Sequence, residues 1–377
     1  MKSFFSFIAL FLLFSCISGR KPSAKNTETD SLFVQTDTVS LLFAGDVMQH
    51  LPQVRAAKNA NGYDYSPCFK WVRDEIGKAD FAVANLECTL GGIPYSGYPM
   101  FSAPDELLFG LHDAGFDVLT TANNHCLDRG RKGLERTLRL IDSIGIKRVG
   151  TYHSSEDRMQ KSPLLLQKGR LKIALLAYTY GTNGIPVTPP NCVNFMDTTT
   201  ISKDIAACRE LHPDAIIACL HWGNEYQRLP DSAQRELAVW MLGNGVDHIV
   251  GAHPHVIQPV EVLTDSLQRK RHIVAYSLGN YISNQSKPHT DGGMMLRMTL
   301  IKDSIATRLH NCNYSLVWTG RPVQTGKKNY YILPVDFPSD SLAVSARHGM
   351  EQFAHRTRTF LRKHNRGIEE YSIGQKP

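Results

Sequence analysis

The strongest constraint on this chain is an alternation of short β-branched runs with amphipathic helical stretches between residues 38 and 256. Strands that alternate with helices in this way are typical of an α/β fold, in which helices cover the faces of a mostly parallel sheet. The pattern predicts strands over 38–45, 81–86, 117–121, 172–178, 214–220 and 247–250. It predicts helices over 68–78, 104–114, 133–144, 200–211 and 232–242.

The pattern changes after residue 256 to paired strands separated by turns. Strands are predicted over 260–263, 273–277, 294–301, 305–309 and 330–333, followed by a basic helix over 341–364. We therefore expect a main domain over 38–285, a β-rich extension over 286–337 and a basic helix and tail over 338–377. The helix is expected to dock on the body, with a role at a membrane surface as the alternative.

The N-terminus reads as a processing signal. Lys2 precedes an apolar run over 4–14, which is too short to span a bilayer and suits a secretory signal peptide. The run ends in Leu-Phe-Ser-Cys at Cys16, which resembles the lipobox of bacterial lipoproteins. We expect residues 1–16 to be a lipoprotein signal with lipidation at Cys16, and polar residues 17–37 to be a flexible tether. A plain signal peptide is the alternative, and either one places the protein outside the cytoplasm, membrane-anchored or secreted.

The net charge of +7 is concentrated at the chain ends. Residues 1–26 carry +4, residues 347–366 carry +5 and the last eleven residues carry −1, which leaves residues 27–346 at −1. Binding to a nucleic-acid backbone would need clustered Lys and Arg on the body, so nucleic acid is not an expected partner. Seven cysteines besides Cys16 show no C-x-x-C spacing, so a disulfide-stapled or zinc-ribbon fold is not supported, although one or two bridges are allowed.

Five predicted strands run directly into polar side chains. In parallel α/β sheets the carboxyl ends of the strands share one edge, where ligands bind, so we expect these side chains to converge. Imidazoles with carboxylate and carboxamide oxygens suit zinc, manganese or iron, and glycines at Gly45, Gly223 and Gly251 would allow close backbone approach. The strand-end residues are Asp46, Glu87, Asn124, His125, Asp128, His221, Glu225, His253 and His255.

These segments resemble the poly-gamma-glutamate capsule-synthesis proteins of the CapA type, a branch of the calcineurin-like metallophosphoesterase superfamily. The resemblance covers roughly residues 39–285 and implies a metallophosphoesterase-type α/β sandwich. The matching motifs are Phe-Ala-Gly-Asp-Val-Met at 43–48, Asn-Leu-Glu at 85–87, Ala-Asn-Asn-His-Cys-Leu-Asp-Arg-Gly at 122–130, His-Trp-Gly-Asn-Glu-Tyr at 221–226, Gly-Ala-His-Pro-His-Val-Ile-Gln-Pro at 251–259 and Tyr-Ser-Leu-Gly-Asn-Tyr at 276–281.

The resemblance also implies roles for individual residues. Asp46 and His255 would bind a first metal, Asn124, His221 and His253 a second, and Glu87 would bridge the two. His125 would act as general acid or transition-state stabiliser, with Asp128 and Glu225 as nearby carboxylates that support the ligating histidines. The superfamily has a histidine where this chain has Met48, so the first metal would lose a ligand unless His50 or Gln49 replaces it.

Three functions remain open at this point. The first is a metal-dependent hydrolase that uses a metal-activated water against an anionic polymer or a phosphoester. The second is a non-catalytic module that binds or helps export a capsule polymer, and the third is a periplasmic nucleotidase. The chain has neither a P-loop nor a G-x-S-x-G motif, so ATP-driven ligation and serine hydrolase chemistry are unsupported.

Overall fold

A computed structural model describes residues 36–265 and 270–373 of the chain. The predicted signal peptide, Cys16 and most of the tether lie outside the described residues. The strands are β1 Asp37–Val47, β2 Lys58–Asn59, β3 Gly62–Tyr63, β4 Phe81–Leu86, β5 Val118–Thr120, β6 Lys147–Val149, β7 Thr151–Tyr152, β8 Leu164–Lys168, β9 Leu171–Thr179, β10 Cys192–Val193, β11 Ala215–His221, β12 His248–Ala252, β13 Val260–Thr264, β14 Arg271–Ala275, β15 Asn280–Ile282, β16 Gly292–Lys302, β17 Thr307–Gly320, β18 Tyr331–Pro334 and β19 Glu369–Glu370. The helices are α1 Leu51–Ala57, α2 Ser66–Phe69, α3 Arg73–Ile76, α4 Glu106–Ala114, α5 Gly130–Ser143, α6 Ser155–Lys161, α7 Thr198–Glu210, α8 Ser232–Gly243, α9 Pro322–Thr325 and α10 Val344–His364.

Most strands belong to two large sheets. One sheet has the order β18-β17-β16-β1-β4-β5-β6, with β15 paired to β1 and β19 to β17. The other has the order β13-β14-β12-β11-β9-β8. Within them, β1, β4, β5 and β6 run parallel, as do β9, β11, β12 and β14. The predicted strand ends are therefore divided between two sheets.

The two sheets pack face to face because their buried strands are apolar on both sides. In β1, Leu41 and Phe43 lie in the cluster between the sheets, whereas Leu42 and Ala44 lie in a second cluster with α1 to α5. A third cluster joins the outer face of the other sheet to α7 and α8. The result is an α/β sandwich of four layers, which confirms the predicted fold class.

The C-terminal strands are part of the first sheet. β16 pairs antiparallel with β1 along eight residue pairs, from Asp37 with Lys302 to Ala44 with Met295. The predicted β-rich extension over 286–337 therefore shares one sheet with the main domain. The strand predicted over 305–309 is the beginning of the long β17.

The basic C-terminal helix α10 docks on the body, as predicted. Ala346, Met350, Phe353 and Leu361 bury one helical stripe in the cluster between the sheets. Several of its arginines are neutralised by acids from other segments: Arg347 pairs with Asp340, Arg356 with Asp291, and Arg358 with Asp336 and Glu370. Three of the six Lys and Arg residues over 347–366 are thus paired with acids.

Two further predictions can be compared with the structure. The helix predicted over 68–78 is divided into α2 and α3, although Phe69, Val72 and Ile76 are still buried together. The seven described cysteines are all free thiols, and six of them are buried. No helix among the described residues is long and apolar enough to cross a bilayer.

Candidate metal centre

The five predicted strand ends meet where the carboxyl ends of the two sheets face each other. β1 and β4 supply Asp46 and Glu87 from one sheet, while β11 and β12 lead into His221 and His253 from the other. Asp46 and the His253 backbone are in direct contact, because the His253 N–H donates to Asp46 Oδ2 at 3.3 Å. The predicted convergence is correct, but it occurs across two sheets rather than along one edge.

Glycines permit this close approach. A Cβ added at Gly45 would lie 2.0 Å from the carbonyl oxygen of Gly279, and one added at Gly251 would lie 2.0 Å from that of Tyr276. The register of β1 against β4 also shifts between Ala44 and Asp46. Such a bulge redirects the side chain that follows it, here the Asp46 carboxylate.

One candidate ligand group comprises Asp46, Glu87 and His255, and we call it the Asp46 group. Nδ1 of His255 lies 3.1 Å from Oδ2 of Asp46, and its Nε2 lies 3.7 Å from Oε1 of Glu87. All three side chains are buried. These are the residues that the family resemblance implies for the first metal and its bridge.

A second candidate group comprises Glu87, His221 and His253, and we call it the His221 group. Nε2 of His221 lies 3.5 Å from Oε1 of Glu87 and 2.8 Å from Oδ1 of Asn124. The rings of His221 and His253 are 4.7 Å apart. The two groups share Glu87, which is the position expected for a bridging carboxylate.

The Glu87 side chain is fully buried, and neither oxygen of its carboxylate has a hydrogen-bond partner among the described residues. Burial, followed by the adjacent Asp46, raises the pKa of Glu87 well above the ordinary value of 4.5. An unsatisfied buried carboxyl is rare in folded proteins and costs stability. A divalent cation between the two groups would satisfy these oxygens, so the donor set fits one or two such ions.

The two imidazoles of the His221 group are suited to binding metal. Burial, followed by the neighbouring His253, lowers the pKa of His221 well below the ordinary 6.5. Burial lowers the pKa of His253 to about 3, and within residues 36–265 and 270–373 Nδ1 of this ring has no hydrogen-bond partner. Both rings are therefore neutral near pH 7, the state that a metal ligand requires.

His253 and His255 lie in a turn after β12 rather than on an extended segment. β12 ends at Ala252, and both histidines have a left-handed backbone, with φ of 97° and 58°. Left-handed conformations are unfavourable for residues other than glycine and cluster at functional sites. They bring the two rings within 5.8 Å of each other.

His125 and Asp128 form a hydrogen-bonded pair beside the ligand groups. Nδ1 of His125 lies 2.8 Å from Oδ2 of Asp128, which also accepts the Phe101 N–H at 2.6 Å. The Phe101 ring packs edge-on against His125 at 4.6 Å. The carboxylate and the ring fix the orientation of the imidazole, and burial raises the pKa of Asp128.

Of the two residues expected to replace the missing histidine, His50 belongs to none of the candidate ligand groups found among the described residues. Met48 is buried in the apolar cluster beneath the helices. His50 is engaged by Gln53 and by the Asn284 N–H, which lies 3.3 Å from its Nδ1. Gln49 is fully buried, and its amide has no partner among the described residues.

Three further residues contact the candidate ligands in ways that the sequence analysis does not predict. Asn85 Nδ2 donates to Asp46 Oδ1 at 2.8 Å and lies 3.3 Å from His221 Nδ1, so this amide links the two ligand groups. The sequence indicates Asn85 only as a polar residue within the otherwise apolar strand β4. Glu225 lies 4.0 Å from His255 and forms a third candidate group with His253 and His255, although it was expected only to support them. The Tyr180 ring lies 4.6 Å from the His253 ring and is tilted by 45° to it, and no sequence pattern indicates this contact.

Several known proteins are similar to this chain. It is 27% identical over 309 residues to "PGA biosynthesis protein CapA" of Bacillus subtilis, covering 78% of this chain and 76% of that protein. It is 27% identical over 277 residues to "Capsule biosynthesis protein CapA" of Bacillus anthracis, covering 71% of this chain and 65% of that protein. Among solved structures, the calcineurin-like phosphoesterase YfkN of Bacillus subtilis has a TM-score of 0.46 at 14% identity, covering 87% of this chain and 100% of that one.

The family described as bacterial capsule synthesis protein PGA_cap matches residues 40–285. That range contains Asp46, Glu87, the 122–130 motif and the three imidazoles of the candidate ligand groups. It covers well over half of the chain and confirms the resemblance stated from the motifs. The chain therefore belongs to the bacterial capsule synthesis protein family PGA_cap.

Proposed function

We propose that the protein is a metal-dependent hydrolase that cleaves an anionic polymer or a phosphoester outside the cytoplasm, tethered to the membrane through lipid on Cys16. The observation that supports this best is the Glu87 carboxylate, buried without a partner between two groups of potential ligands. A purely structural carboxylate at this depth would be hydrogen-bonded or ion-paired.

The ligands would be held as the family resemblance implies. Asn124, His221 and His253 would bind one ion, Asp46 and His255 the other, and Glu87 both. A divalent ion bound here supplies a water of lowered pKa and offsets negative charge on the attacked group. The ion held by Glu87, Asn124, His221 and His253 would have four protein donors, and the ion held by Asp46, Glu87 and His255 would have three. We therefore expect one tightly held ion and one more easily removed.

The His125 and Asp128 pair would handle the leaving group. When Nδ1 of His125 donates to Asp128, Nε2 of the same ring remains available to take up and deliver a proton. Asp128→Asn should preserve the contact to the Phe101 N–H but weaken the orientation of the ring. We expect kcat to fall by about 10²- to 10⁴-fold with less effect on KM.

Metal analysis of the purified protein by mass spectrometry tests the proposal, combined with hydrolysis assays on phosphoester and γ-glutamyl substrates. His253→Ala should lower the metal content and abolish hydrolysis, whereas His272→Ala, at an imidazole remote from the ligand groups, should change neither. A folded wild-type protein that takes up no divalent metal would refute the proposal. It would favour the non-catalytic polymer-binding role instead.

A further inference from the structure

Four cations lie around the segment of residues 283–291, which follows the metal centre in the chain. They are Arg228, Lys287, Arg321 and Arg356, and we call them the cationic rim. All except Arg228 lie beyond residue 285, where the family match ends. The acid among them is Asp291, which is already paired with Arg356.

The segment over 283–291 is fixed directly to the site. Asn280 pairs with Asp46 in the register of β15 and β1. The Asn280 amide donates to Gln285 Oε1 at 3.0 Å and to the Thr290 carbonyl at 2.9 Å. Lys287 is exposed on the loop between these two anchors. A substrate that extends from the metal centre past Asn280 would therefore meet this loop.

Arg321 stands on one side of the loop. Its guanidinium donates to the Gln285 carbonyl oxygen, and in the described part of the chain it pairs with no carboxylate. The loop also reaches His50 through the Asn284 N–H, and His50 packs on Phe101 at 5.1 Å, the same ring that contacts His125. Arg321 is thus connected to the proposed acid by a short series of contacts.

Arg228, three residues after Glu225, lies near His289 of the loop: burial, followed by the nearby Arg228 and Arg356, lowers the pKa of His289. The Arg228 guanidinium lies 3.8 Å above the Phe360 ring of α10 and, among residues 36–265 and 270–373, makes no ion pair. The side chain is half-buried, and burial followed by the nearby Arg356 lowers its pKa. A desolvated guanidinium without an anionic partner is unfavourable by itself, and its planar fork matches carboxylate or phosphate oxygens.

We propose that the cationic rim, through Arg228 and Arg321, binds a second acidic group of the substrate while the metal centre holds the group to be cleaved. The ligand is a carboxylate or phosphate oxyanion on a molecule long enough to reach both places. This assignment rests on the proposed function for the choice of substrate, but the rim binds the oxyanion whether or not cleavage occurs. It gives the C-terminal extension and α10 a role in substrate recognition.

The test is a calorimetric titration of the purified full chain, in EDTA, with two probes: a γ-linked glutamate oligomer and tripolyphosphate. EDTA separates binding at the rim from binding to metal and prevents metal-dependent turnover. Each of Arg228→Gln and Arg321→Gln should weaken binding of at least one probe by about tenfold, the effect of losing one charge-assisted contact. Arg228→Lys should recover part of that loss.

Arg235→Gln is the matched control. This arginine also lies against an aromatic ring, that of Tyr276, but it pairs with Glu261. Its removal changes the net charge by the same amount but takes no cation from the cationic rim. Arg235→Gln should therefore leave the affinity for both probes unchanged. If the rim variants weaken binding of the glutamate oligomer alone, the ligand is a carboxylate. If they weaken binding of tripolyphosphate alone, the ligand is a phosphate. The proposal for the cationic rim would be wrong if Arg228→Gln and Arg235→Gln changed the affinity equally. It would also be wrong if neither rim variant changed the affinity for either probe. Absence of hydrolysis in the metal-loaded wild type would count against the proposed function only.

Discussion

Replacing Glu87 by glutamine distinguishes a metal-binding carboxylate from a structural one. In the metal-free protein, both Glu87 oxygens are buried without a partner and face the Asp46 carboxylate. Glutamine has nearly the same shape and no charge. We therefore expect Glu87→Gln to raise the free energy of unfolding of the metal-free protein, although most buried substitutions lower it.

The size of the effect follows from the buried group and depends on pH. The pKa of folded Glu87 is raised above 4.5, so the folded state retains a proton that the unfolded chain releases. Wild-type stability contributed by this group is therefore present below pH 4.5 and is lost as the pH rises through the folded pKa. At mildly alkaline pH, glutamine should restore about 1–3 kcal/mol, the cost of an unsatisfied buried group.

Denaturant unfolding of both proteins in EDTA, over a range of pH, measures this difference. With metal at 1,000 times its Kd the order should reverse, because wild type gains about 4.1 kcal/mol from the bound ion and the variant loses that site. Glu75→Gln is the control: this buried carboxylate is satisfied by Arg297, Lys78 and Tyr371, so its loss should destabilise the protein in every condition. A metal-free Glu87→Gln protein less stable than wild type would refute the reasoning.

Two other substitutions test the surroundings of the site and the pH response of the fold. Asn85→Ala removes the amide that orients Asp46 and should weaken metal binding by about 10- to 100-fold in chelator competition. Asn194→Ala, at an equally buried amide bonded to the Ala177 carbonyl, should lower stability without that loss of affinity. His248→Asn should flatten the loss of stability on acidification. Burial lowers the pKa of His248 to about 4, so its contribution is present above pH 6.5 and is lost as the pH falls through 4, whereas the Asn oxygen can still accept the Ile273 N–H. Denaturant unfolding at several pH values measures this. If another group causes the loss of stability in acid, the free energy of unfolding of the variant will fall with pH as steeply as that of wild type.

The sequence was sufficient to predict the strands around the site, because buried parallel strands are short apolar runs with polar residues at their ends. β4 was predicted with its exact bounds, and β11 and β12 within two residues. The division of these strands between two sheets could not be read from the chain, since local periodicity does not specify which strands pair. The same limit applies to β16, whose pairing with β1 joins residues more than two hundred positions apart.

The candidate ligands could be predicted because they depend on residue type at strand ends. The backbone conformation and hydrogen bonds that position them could not. The left-handed backbone at His253 and His255 follows from the chain turn after β12, and no residue preference announces it. Asn85 was visible as a polar residue in an apolar strand, but its contact with Asp46 depends on the bulge after Ala44. The sequence places Glu225 close to the site in the chain, whereas its contact with His255 depends on the fold.

The distribution of unfavourable features supports a bound cation more strongly than any single residue does. Two buried charges elsewhere in the described structure show the contrast: Arg148 pairs with two aspartates, and Glu75 pairs with Arg297. At the metal centre, by contrast, unsatisfied oxygens at Glu87 and left-handed histidines occur within a few ångströms of each other. Such costs persist where function requires them, and one positively charged ligand would offset the electrostatic part of all of them together.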